Sequence, residues 1–67
     1  MAKSPVELLE TALKKEQSAY VFYERMTKES RMESVIELAQ QLKNEEAKHV
    51  QMIQKMLTNI RLGKNIK

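Results

Sequence analysis

The sequence predicts an all-α fold: a two-helix antiparallel hairpin that dimerises into a four-helix bundle. Three observations lead there. Apolar residues recur at steps of three and four through two long stretches. Only one glycine and one proline occur, and neither interrupts those stretches. Nowhere do apolar and polar residues alternate as a strand requires.

The first helix is expected over about 5–29. Ser4 is a good N-cap, Pro5 suits the first helical position, and Glu7 completes a Ser-x-x-Glu capping box. From there Val6, Leu9, Leu13, Glu16, Tyr20, Tyr23 and Thr27 form one stripe, which Ala12, Ala19 and Met26 widen. Tyr20 and Phe22 read as packing residues.

A polar turn region follows at 28–34. Two further Ser-x-x-Glu boxes, beginning at Ser30 and Ser34, leave the start of the next helix open by a turn. That second helix is expected over about 32–61. Its stripe is Val35, Ala39, Leu42, Glu46, His49, Ile53, Met56 and Ile60, flanked by Leu38, Val50, Met52 and Leu57. Gly63 is a fitting stop, with Arg61 placed at the negative end of the helix dipole. The short C-terminal tail beyond is expected to fray, and residues 1–67 read as a single domain.

At 67 residues the chain is small enough to need a staple: a disulfide, a metal or a partner subunit. Cysteine is absent, which excludes disulfides, thiolate sites and iron–sulfur centres. The net charge of +3 comes from 12 basic against 9 acidic residues with the signs interspersed. Basic residues are scattered and no recognition-helix turn is present, so no nucleic-acid partner is expected. No run approaches the roughly 20 apolar residues that cross a bilayer. The opening Met1-Ala2-Lys3-Ser4-Pro5 lacks an apolar run of signal-peptide kind. No membrane partner is expected, and a cytoplasmic location is.

Three polar residues nevertheless sit in the apolar stripes: Glu16, Glu46 and His49. The step Glu46-Ala47-Lys48-His49 places a carboxylate and an imidazole on one helix face, one turn apart. Glu16 and Glu46 each lie 15 residues from Arg31, inside the turn region. In an antiparallel hairpin they should therefore face each other, with His49 about 4.5 Å further along its helix. Glu45, about 100° away from Glu46, should be solvated.

Facing carboxylates repel strongly in a low dielectric unless something neutralises them. Two-fold pairing of hairpins would gather four Glu and two His, and two divalent cations would balance the four carboxylate charges. That is the ligand set of ferritin-like two-metal bundles. Mixed carboxylate and imidazole donors suit iron or manganese, with zinc as a common substitute. Met26, Met32, Met52 and Met56 read as adaptable core or interface residues rather than a copper site. The competing expectation is a non-catalytic helical dimerisation module. There Glu16 would set register, His49 would hydrogen-bond across an interface, and Tyr23 would fill core.

Residues 12–23 and 38–49 resemble the two metal-binding helices of the rubrerythrin and ferritin-like families, and the similarity runs from Glu7 to Leu57. It rests on a Glu, a Tyr seven residues later, and a Glu-x-x-His at matched hairpin height. The two-helix form most resembles the encapsulated-ferritin type. This resemblance implies two iron ions per dimer, held by Glu16, Glu46 and His49 at a dimer interface, with Tyr23 the nearby phenol of the catalytic set. It also implies a ferroxidase-type oxidoreductase for iron handling, which oxidises Fe(II) with dioxygen. Its partners would be further copies, as a homodimer or higher homo-oligomer, and an encapsulating shell or an electron donor. A place inside a protein compartment follows from the same resemblance. The alternative within it is rubrerythrin-like peroxide reduction with a separate electron donor. Lys15 departs from the pattern, since acidic residues tend to accompany the ligand Glu in the encapsulated type.

Overall fold

The computed structural model describes residues 3–63. It consists of two helices, α1 (Pro5–Glu29) and α2 (Glu33–Arg61), packed against each other as a hairpin about 47 Å long. Both agree with the sequence expectation to within a residue at each end.

The start of α1 is fixed by its capping box. Ser4 Oγ accepts from the Glu7 amide at 3.1 Å, and Glu7 Oε1 accepts from the Ser4 amide at 3.2 Å. Two otherwise orphaned backbone donors are thereby satisfied. At the other end Ser30 swings to an extended conformation (φ −78°, ψ 146°) while its amide still donates to Met26 O.

Neither of the other two serine boxes is used, which corrects the sequence expectation. The N-cap of α2 is Met32, which offers no side-chain cap. Ser30 already terminates α1, and its Oγ accepts from the Met32 amide at 3.1 Å, so it stabilises the turn instead. Ser34 lies inside the helix, too late to cap it. At the C-terminal end Gly63 adopts φ +74°, a left-handed conformation that glycine takes without Cβ strain. The tail expected to fray past Gly63 lies outside the described residues.

Packing between the helices is thin. Among the described residues only Ala39 and Leu57 are fully buried. Ala39, with no side chain beyond Cβ, is wholly enclosed between the helices' side chains. Elsewhere along the helices Leu9, Leu13, Tyr20, Leu42, Val50 and Ile53 are half-buried. Leu8, Val21, Phe22, Leu38, Met52 and Met56 remain exposed. Phe22, expected to pack, instead faces outward and meets Tyr23 edge-on at 5.6 Å. Arg61 does more than face the helix dipole: its guanidinium donates to Glu10 Oε2 at 2.8 Å and ties the open ends together. Among the described residues no helix is long and apolar enough to cross a membrane.

Candidate metal centre

Glu16 projects from the middle of α1, and Glu46 and His49 from the middle of α2. Their potential ligand atoms all lie within 4.8 Å of one another. His49 Nδ1 sits 3.1 Å from Glu46 Oε1 and 3.2 Å from Glu16 Oε1. One ring nitrogen therefore serves both carboxylates, and to donate to either it must carry the proton. Burial is graded across the cluster: the side chains are 14%, 29% and 49% exposed for Glu46, Glu16 and His49. The centre lies at the edge of the helix seam, open on one side.

Glu46 has its carboxyl held above its ordinary value of 4.5. The main cause is a hydrogen bond with the Glu16 carboxyl, which favours a shared proton. Partial desolvation and the Glu16 charge push the same way, and His49 opposes them. Two carboxylates this close prefer to share a positive charge, whether a proton or a cation.

The donor set fits a divalent metal of the iron, manganese or zinc kind. Two carboxylates and one imidazole from one hairpin converge from two helices, with Glu46 and His49 one turn apart on the same face. Beside them is a cavity of about 250 Å³ lined by Glu16, His49, Met52 and Ile53. Leu38, Glu45 and Met52 follow at seven-residue spacing and Met56 at four, so this side of α2 presents one largely apolar stripe. The groove on the other side of the seam is different in kind, lined by Gln17, Gln51 and Gln54 beside Tyr20 and Val50.

Tyr23 does not join the cluster. It stands seven residues beyond Glu16, about 10 Å along the axis, and is not hydrogen-bonded to the three candidate ligands. Glu45 is exposed, as its position on the wheel implies. Met52 and Ile53, apolar positions in the helix pattern, wall the site. Met52 could have been placed there from its spacing, three residues past His49 on the same face.

Residues 7–67 match the family model for rubrerythrin. The chain belongs to the rubrerythrin family. No curated protein and no solved structure matches it. The family match spans both helices and includes Glu16, Glu46 and His49. Rubrerythrin-family proteins typically bind iron, and the oxygen and nitrogen donors gathered here suit that metal.

Proposed function

We propose that this rubrerythrin-family hairpin is a ferroxidase of the encapsulated-ferritin type, with a two-iron site completed by a second copy of the chain. The observation that carries this reading is the convergence of Glu16, Glu46 and His49 on the face that also exposes Leu38, Met52 and Met56. Three donors from one hairpin are half of a two-metal ligand set. The thin core supports the same conclusion, because a chain this small gains stability by burying such a stripe against a partner. Two hairpins related by a two-fold axis give a four-helix bundle with four Glu and two His at its centre.

When bound, ferrous iron supplies the electrons: each of two ions gives up one, and dioxygen takes both with two protons to leave hydrogen peroxide. The chain's own residues prepare for this. Glu16 and Glu46 accept a cation in competition with the proton that their closeness makes Glu46 hold more tightly than usual. His49 gives up its contacts to the two carboxylates and offers a ring nitrogen lone pair. Met52 and Ile53, with their counterparts across the axis, keep bulk water from the cavity. Tyr23, on the same face of α1, is a phenol outside the ligand set. A protein shell as the place of action is supported by the resemblance to the encapsulated type.

The test is oxidation of two equivalents of Fe(II) per dimer in air, followed by ferric absorbance. The protein should turn Fe(II) over several-fold faster than buffer, and Glu46→Gln should fall back to the buffer rate. A wild-type rate equal to buffer removes the ferroxidase reading. Faster oxidation by hydrogen peroxide than by dioxygen would move the function to peroxide reduction with a separate electron donor.

A further inference from the structure

We propose that Met52 is a built-in oxidation site, whose thioether takes up hydrogen peroxide released in the cavity it shares with Glu16 and His49. This rests on the ferroxidase reading for its source of peroxide. The place of Met52 in the single hairpin is independent of that reading, while its enclosure by a second copy is part of it. Met52 lies three residues past His49, on the same helix face, and walls the 250 Å³ cavity beside the cluster. Met52 is 68% exposed in the single hairpin. Once a second copy covers this face, the sulfur borders an enclosed chamber, and an oxidant formed inside meets it before reaching bulk solvent.

The chemistry balances without a further reagent. The Met52 sulfur lone pair attacks one peroxide oxygen and the O–O bond breaks. The second oxygen leaves as hydroxide and takes the proton of the oxygen now on sulfur, giving water and the sulfoxide. Sulfur is oxidised by two electrons to the sulfoxide, and peroxide is reduced by the same two. A thioether is the side chain that does this most readily in a chain without cysteine. Met52 would thereby protect the imidazole and carboxylates next to it.

Met32 is the natural internal control. It is 62% exposed, close to Met52 in that respect, but it caps α2 some 20 residues from Met52, about 30 Å along the helix. Trypsin separates the two, since Met52 falls in residues 49–55 and Met32 in residues 32–43. The full chain is given Fe(II) in air for several turnovers, digested, and each peptide is weighed for one added oxygen atom. A parallel sample receives hydrogen peroxide from outside with no iron.

Turnover should oxidise Met52 several-fold more than Met32, whereas outside peroxide should not favour Met52 over Met32. Met52→Leu, which keeps the volume and apolar character, should lower the oxygen gained by residues 49–55 to what His49 alone takes up. Brisk iron oxidation with equal or lower sulfoxide at Met52 than at Met32 would overturn the inference and leave the ferroxidase reading intact. Iron oxidation no faster than buffer would overturn both.

Discussion

Glu16 and Glu46 stand opposite each other across the hairpin, each with a carboxylate oxygen within 3.2 Å of the same nitrogen of His49. The imidazole nitrogen is thus placed to bridge the two carboxylates. The pair is strained electrostatically and ready to exchange that weak donor for a stronger positive charge.

Replacing either carboxylate with its amide isostere should separate stability from binding. Glu16→Gln or Glu46→Gln removes the repulsion while keeping the shape, so the metal-free protein should melt at the same temperature or higher. The response to metal should vanish. At a hundred-fold excess over Kd, a bound ion stabilises the wild type by about 2.7 kcal/mol, and neither variant should show that gain. Thermal melts with and without Mn(II) or Zn(II) give the comparison.

The raised carboxyl of Glu46 fixes the sign of the pH dependence. The folded metal-free chain holds that proton more tightly than the unfolded chain does. Its contribution to stability is therefore full below the ordinary value of 4.5 and is lost as pH rises through the raised one. Metal must displace the proton, so metal affinity should move the other way and strengthen as pH rises. Melting of the metal-free protein and Zn(II) titrations, followed upward in pH from the ordinary value of 4.5, should give opposite slopes, and Glu46→Gln should flatten both.

Leu38→Glu should split the pairing. It places a charge on the exposed apolar stripe that carries Met52 and Met56, without touching the three candidate ligands. Sedimentation should show a dimer for the wild type and a monomer for the variant. Metal affinity should fall by at least about ten-fold in parallel, because half of the donors are lost.

Ala39→Leu probes the packing between the two helices. Ala39 is fully buried, and the added methylenes must push α1 and α2 apart. The expected loss is about 1–3 kcal/mol, read from chemical denaturation. By contrast, Glu10→Gln removes only an exposed ion pair with Arg61 and should cost no more than about 0.5 kcal/mol.

The helices and the cluster were legible in the sequence because each is set by local rules. The three-and-four periodicity placed both helices, the Ser4 box placed the start of α1, and Gly63 placed the end of α2. Equal spacing from the turn brought Glu16 and Glu46 face to face. What escaped the sequence depends on competition or on partners. Ser30 could cap α2 or close α1, and only the folded turn decides between them. Periodicity marks a broad apolar stripe but not which edge of it the neighbouring helix covers. For that reason Phe22, Leu38 and Met52 emerged exposed. The Arg61–Glu10 pair joins residues 51 apart and had no local signature.

The most direct measurement is native mass spectrometry of the full chain titrated with Fe(II) without oxygen. The expected species is a dimer carrying two iron ions, reduced to a metal-free species in Glu46→Gln. A wild-type chain that stays monomeric, or that pairs without taking up iron, would contradict a shared metal site between two hairpins.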